Sequence, residues 1–137
     1  MRPRRLVIDS NVYLSALLFG GNPRLVVEMS ILGAHNVVIS EEIYTEMKKV
    51  VTVKFSSFLP DYHAFEVVLR ENTILISLGS ISIGVCRDAK DNMILETAVL
   101  GGCDAIITGD KDLTALAVYN QISIVTPREV ITSGLLN

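Results

Sequence analysis

The sequence predicts an α/β protein in which helices cover both faces of a parallel sheet of about five strands. Short apolar runs rich in β-branched residues alternate with stretches whose apolar residues recur every three or four positions. This alternation is typical of parallel strands joined by helices. The chain has 137 residues, half of them apolar, so it can bury a core without disulfide or metal support. We therefore expect a single domain over residues 1–137.

The same patterns give approximate limits for the elements. Predicted strands span residues 5–9, 36–39, 73–76, 104–107 and 122–125. Predicted helices span about 11–18, 23–33, 41–53, 60–71, 91–101 and 112–118, with a short helix after Pro127. The segment 78–84 fits either an extra edge strand or a mobile loop.

Composition excludes several classes of protein. A formal net charge of −3 argues against a nucleic-acid binder coated in positive charge. Cys86 and Cys103 lack C-x-x-C spacing and nearby His ligands, which favours free thiols over a zinc or redox site. The apolar run before Asp9 is too short for a signal peptide, and no run approaches the roughly 18 residues that span a bilayer. We expect a cytoplasmic protein.

Acidic residues follow four of the apolar segments. They are Asp9, the pair Glu42 and Glu46, the pair Asp88 and Asp91, and the pair Asp110 and Asp112. The carboxyl ends of parallel strands share one edge of a sheet, so these acids should converge there. A lone Asp at such a junction commonly caps the next helix, and Asp9 and Asp110 are each open to that interpretation. Several carboxylates held together repel one another, and a hard cation removes that repulsion.

Helical spacing separates some of these acids. Asp91, Leu95 and Ala98 fall on one stripe, which directs Asp91 toward the end of the sheet. Asp88 is predicted to cap the same helix. We favour Glu46 over Glu42 because Glu46 borders the predicted buried stripe of its helix, which comprises Ile43, Met47, Val50 and Val51.

Four motifs in this order resemble the PIN-domain family of metal-dependent ribonucleases. They are Asp9-Ser10-Asn11, the segment 40–46 that ends in Glu46, Arg87-Asp88-Ala89-Lys90-Asp91-Asn92, and Thr108-Gly109-Asp110-Lys111-Asp112-Leu113. The resemblance extends nearly end to end, through residues 125–129. The most similar subgroup is the toxin components of toxin–antitoxin pairs.

The resemblance implies a three-layer α/β/α sandwich that binds Mg²⁺ or Mn²⁺ and cleaves single-stranded RNA. The family's acidic quartet falls on Asp9, Glu46, Asp91 and Asp110. Asp112 corresponds to an accessory acid, and Asn11 and Thr108 to supporting polar groups, with Asp88 as a further supporting residue. An antitoxin partner is also implied. We further expect a homodimer or higher homo-oligomer.

The residue types are consistent with such chemistry by themselves. Oxygen ligands suit a small hard cation rather than zinc, and such a cation can activate water to attack phosphorus, leaving a 5′-phosphate product. His35 and His63 lie outside every motif, which argues against a histidine-based ribonuclease. Arg87, Lys90 and Lys111 flank the acids. They could hold RNA phosphates or balance the carboxylates, and both interpretations stay open.

Alternatives remain at this stage. A haloacid-dehalogenase-type enzyme also has an Asp after its first strand but resembles D-x-D there, whereas this chain has Asn11. A receiver domain needs adjacent acids near the first strand and a late Lys, and neither class accounts for Glu46. A non-catalytic binding module and an RNA-processing nuclease without an antitoxin are further possibilities. The aromatic segment that contains Phe55, Phe58, Tyr62 and Phe65 fits core packing better than an association surface.

Overall fold

The computed structural model describes residues 3–137, so Met1 and Arg2 lie outside the described residues. The strands are β1 (Arg5–Ile8), β2 (Asn36–Ser40), β3 (Ile74–Ile76), β4 (Ala105–Ile107), β5 (Val118–Tyr119) and β6 (Ile122–Val125). The helices are α1 (Ser10–Leu18), α2 (Gly21–Leu32), α3 (Glu41–Lys54), α4 (Leu59–Asn72), α5 (Ala89–Leu100), α6 (Lys111–Thr114) and α7 (Pro127–Ser133), with a 3₁₀ turn at Ser56–Phe58.

The strands form one sheet in the order β3-β2-β1-β4-β6-β5. Every neighbouring pair is parallel except β5 with β6. The central strands β1 and β4 are almost entirely apolar, and Val7 and Ile106 are fully buried, as expected for strands covered on both faces. The predicted α/β class with a central parallel sheet flanked by helices is confirmed, but the sheet has six strands instead of about five.

The additional strand replaces the end of a predicted helix. The prediction of a helix over 112–118 was wrong, because α6 ends at Thr114 and the chain turns at Ala117, whose φ is 60°. A two-residue turn at Asn120 and Gln121, with φ of 48° and 65°, then joins β5 to β6. Two central residues with positive φ are typical of a tight hairpin turn, whose usual sequence signal includes a glycine that this turn lacks.

The uncertain segment 78–84 is an irregular loop, not a strand. The loop is attached to α5 at two points. The backbone N–H of Ile83 donates to the Glu96 carboxylate at 3.2 Å, and the side-chain amide of Asn92 pairs with both the N–H and the C=O of Cys86 at 2.8 and 3.0 Å. These bonds fix the chain immediately before Arg87.

The aromatic segment packs largely against the core. Tyr62 is fully buried, and its hydroxyl donates to the backbone oxygen of Tyr44 at 3.2 Å. The Phe65 ring lies edge-on to Tyr13 with 6.2 Å between centroids, and Phe58 is partly buried against the core. This geometry favours the packing interpretation for these three residues.

His35 has a structural role. Its buried ring accepts the Arg4 N–H at 2.9 Å through Nδ1 and bonds the Leu136 carbonyl at 3.0 Å through Nε2, whereas His63 is exposed. Both rings therefore belong to packing or surface, as predicted.

Across residues 3–137, none of the helices combines the length and apolar character that crossing a bilayer requires.

Candidate metal centre at the sheet edge

The candidate site lies where β1 and β4 end side by side. The sheet hydrogen bonding continues one residue past each strand, since the Asp9 N–H donates to the Ile107 carbonyl and the Thr108 N–H to the Val125 carbonyl, both at 2.9 Å. Asp9 and Thr108 therefore stand on rigid backbone at the same edge. The parallel arrangement predicted from sequence produces this convergence.

Asp9 occupies the N-cap position of α1, but its side chain makes no capping hydrogen bond. It is 5% exposed and accepts hydrogen bonds from Thr108 Oγ1 at 2.7 Å and Ser10 Oγ at 3.3 Å. Burial raises the pKa of the Asp9 carboxyl, although these bonds and the backbone N–H of Asn11 lower it in part, and the charge of Asp110 raises it further. Asp9 is thus held beside a second carboxylate instead of capping its helix.

Asp110 is the capping residue of α6. One carboxylate oxygen, Oδ1, accepts the backbone N–H groups of Asp112 at 2.8 Å and Leu113 at 3.3 Å. The Asp110 N–H donates to Thr108 Oγ1 at 3.0 Å, so the Thr108 hydroxyl links Asp9 to the backbone of Asp110. Asp112 does not share this capping role, because its carboxylate accepts two side-chain hydrogen bonds from Arg87, at 3.0 and 3.1 Å.

Three carboxylates converge closely. Asp91, Asp110 and Asp112 each place an oxygen within 4.8 Å of the others. Asp91 is 5% exposed, and its Oδ2 atom is buried without a hydrogen-bond partner among residues 3–137. A buried carboxylate oxygen without a hydrogen-bond partner destabilises the folded state unless a nearby cation compensates its charge. The oxygen-only donor set and this unpartnered atom fit a hard divalent cation.

The electrostatics of Asp91 reflect the same crowding. Burial, reinforced by the charges of Asp110, Asp9, Asp88 and Asp112, raises the pKa of Asp91 to about 6. The predicted inward stripe of α5 is confirmed, since Asp91, Leu95 and Ala98 are all buried. Asp88 caps α5 by accepting the Lys90 N–H at 2.9 Å, also as predicted.

Glu46 is not part of the trio of Asp91, Asp110 and Asp112 that converges among the described residues. Its side chain is 15% exposed, and Oε1 lies 3.0 Å from Lys90 Nζ, whereas Glu42 is exposed. The buried face of α3 differs slightly from the prediction, because Tyr44 is buried and Val50 only half-buried.

The three basic residues that flank the acids differ in their contacts. Arg87 and Lys90 pair with the site carboxylates of Asp112 and Glu46, which corresponds to the charge-balancing interpretation. Lys111 is exposed at the start of α6, and the Asn11 side chain is also exposed.

Two supporting residues were missed from sequence. Ser10 donates to the Asp9 carboxylate, and Asn92 secures Cys86 just before Arg87. Both residues lie inside the motifs that were recognised. Ser10 follows Asp9 and Asn92 follows Asp91, and this adjacency to an acid is the sequence signal for both.

A parallel α/β fold with clustered carboxylates at the strand ends defines a class of proteins suited to binding divalent cations. The chain belongs to the PIN-domain family, because a family model for the PIN domain matches residues 5–112. A search of functionally curated proteins finds no significant match.

Among solved structures, the chain is similar to one from the crystal structure of VapBC2 from Rickettsia felis bound to a DNA fragment from their promoter. The TM-score is 0.62 at 10% sequence identity, with 89% of this chain and 98% of that chain covered. At this identity, the likeness supports the fold alone.

Asp91→Asn should stabilise the protein in the absence of divalent cations. The folded-state pKa of about 6 exceeds the ordinary value of 3.8, so the folded state binds this proton more tightly than the unfolded state. Stability should therefore rise as pH falls from 7 toward 4, and at pH 7 the substitution should add roughly 2–3 kcal/mol to the free energy of unfolding.

Thermal melts followed by circular dichroism in EDTA between pH 5 and 7 measure this effect. The variant should show a smaller pH dependence in that interval than the wild type. A variant with the wild-type slope and melting temperature would show that Asp91 is not the strained carboxylate.

Proposed function

We propose that this chain is a metal-dependent endoribonuclease that cleaves single-stranded RNA and acts as the toxin of a toxin–antitoxin pair in the cytoplasm. The observation that carries the proposal is the trio Asp91, Asp110 and Asp112 beside Asp9, with one buried Asp91 oxygen that has no hydrogen-bond partner in the described part of the chain. Membership of the PIN-domain family supports a nuclease.

Mg²⁺ or Mn²⁺ is the cofactor that suits these oxygen donors. Asp9, Glu46, Asp91 and Asp110 would hold it, with Asp112 as an accessory acid. When bound, such a cation activates water for attack on phosphorus and stabilises the leaving oxygen. Thr108 and Ser10 orient Asp9 for this role through their hydroxyl groups.

The exposed cations supply contacts to the RNA backbone. The Arg87 side chain is 86% exposed although it pairs with Asp112, and Lys90 and Lys111 are also exposed. Ion pairs of this exposure are weak, so a phosphate can replace the carboxylate partner. Contacts of this kind position the substrate without reading its sequence.

Incubation of labelled single-stranded RNA with purified protein tests the activity. Cleavage should require Mn²⁺ or Mg²⁺, stop with EDTA, and leave 5′-phosphate ends, and a duplex of the same sequence should resist. Cleavage that persists in EDTA would exclude the proposed chemistry. A folded protein that shows neither cation binding nor cleavage would favour a non-catalytic binding module.

An antitoxin partner is also proposed, and a surface groove supports this part of the proposal. The groove encloses about 450 Å³ between α1, α2 and α4. Its lining is mainly apolar and includes Leu17, Val27, Ile31, Leu32 and Phe65, with Arg24 and Glu28 also present. Leu32 is 80% exposed. An exposed apolar groove suits the apolar face of a partner helix.

Leu32→Glu should abolish co-purification with the product of the adjoining reading frame, because it places a charge against the apolar face of the partner. Val53→Glu on α3 is a matched control, since Val53 is 73% exposed and lies outside the groove. Equal capture by both variants would exclude the groove as the docking surface. An active nuclease that captures no neighbouring protein would instead favour an RNA-processing role.

We also propose that the chain forms a homodimer. Light scattering of the purified chain measures its oligomeric state directly.

A further inference from the structure

Lys90 occupies an unfavourable place for a cation. It lies in the first turn of α5, where the helix dipole disfavours positive charge. Its ammonium group is 3.0 Å from Glu46 Oε1, and this hydrogen bond, with the charge of Glu46, raises the pKa of Lys90. The neighbouring carboxylates therefore stabilise an ammonium group that the helix alone would not.

The pair is asymmetric in its exposure. The Lys90 side chain is 60% exposed, whereas that of Glu46 is 15% exposed. Lys90 can leave for solvent by rotating its long side chain, whereas the mostly buried Glu46 side chain has less freedom to follow it. In the residue next to Lys90, the Asp91 Oδ2 atom is buried and has no hydrogen-bond partner within the residues that the structure describes. The buried Asp91 oxygen is thus left uncompensated in the described part of the chain, whereas Lys90 already pairs with Glu46.

We propose that Lys90 competes with the divalent cation for Glu46 and thereby lowers the cation affinity of the site. The inference rests on the proposed metal-dependent function and deepens it. An entering cation must displace the ammonium group from Glu46 and also approach against its charge. Both effects oppose binding of the divalent cation, and both are relieved when the Lys90 side chain rotates into solvent.

Isothermal titration of Mn²⁺ into the purified protein at low salt tests the competition. Lys90→Met should tighten binding by about fivefold, the largest change expected from an ion pair of this exposure. Lys90→Arg, which keeps the charge, should bind like the wild type. Lys54→Met is the control for net charge, because Lys54 ends α3 about 12 Å along the helix from Glu46, and it should change the dissociation constant by less than about twofold.

A second arm isolates the role of Glu46. In a Glu46→Gln background, Lys90→Met should give a clearly smaller gain, because the contested ligand is absent. Equal binding by wild type and Lys90→Met, or a gain that persists fully without Glu46, overturns the competition while the proposed function stands. If no protein in the series binds Mn²⁺ although circular dichroism shows each to be folded, both the inference and the proposed function fail.

Discussion

Asp9→Asn should reduce RNA cleavage to background while the chain remains folded. The amide keeps the size of the carboxylate but removes the charge that would hold the cation. Its oxygen can still accept from Thr108 Oγ1, and its NH₂ group can donate to Ser10 Oγ, so both contacts with side chains have a replacement. Because burial raises the pKa of Asp9, removal of its charge should slightly stabilise the metal-free protein.

Cleavage of labelled single-stranded RNA across a range of Mn²⁺ concentrations measures this effect. Glu42→Gln provides the matched control, because it removes one negative charge from an exposed side chain on α3 and should retain most of the activity. Equal rates for wild type and Asp9→Asn would exclude Asp9 from the active site. Loss of the folded circular-dichroism spectrum would instead assign it a structural role.

Asp110→Asn should remove activity almost completely, whereas Asp112→Asn should weaken cation affinity by roughly 10–100-fold. Asp110 is held from two sides, by its own capping bonds to α6 and by the Thr108 hydroxyl on its backbone. An Asn at this position can still cap the helix, so the charge is the main loss. The Asp112 side chain is 45% exposed and turns toward Arg87, which suits a supporting role.

A metal titration of the cleavage rate separates the two roles. High Mn²⁺ should restore Asp112→Asn to near the wild-type rate and leave Asp110→Asn inactive. Asp61→Asn, an exposed acid in the first turn of α4, should behave like the wild type. Rescue of Asp110→Asn but not of Asp112→Asn would show that the inner ligand had been assigned to the wrong aspartate.

The parts of the fold that depend on local pattern were predictable from sequence. The apolar segments gave β1, β2, β3, β4 and β6 within one residue of their limits, since a buried parallel strand reads as a short apolar run. Parallel pairing then placed Asp9 and Asp110 at one edge without further information. The hairpin strand β5 escaped prediction because a two-residue strand has almost no pattern and its turn lacks glycine.

The site was less predictable because its details depend on contacts between distant parts of the chain. The helical stripe oriented Asp91 correctly, but spacing could not show that Lys90 reaches Glu46 or that Arg87 reaches Asp112. Asp110 and Asp112 differ by only two positions, which is within the uncertainty of a predicted helix start. Their roles as capping residue and ion-pair partner became distinct only with the backbone in place.

The hydroxyl group of Thr108 determines how the site responds when a cation arrives. It donates to Asp9 and accepts from the Asp110 backbone, so the end of β1 and the turn after β4 cannot move independently. The conformational freedom of the segments that carry Asp9 and Asp110 is therefore lost when the chain folds. Cation binding does not have to restrict them again. Cation binding should then proceed with little backbone rearrangement in this part of the molecule, and its rate should depend mainly on dehydration of the ion and movement of the rim side chains.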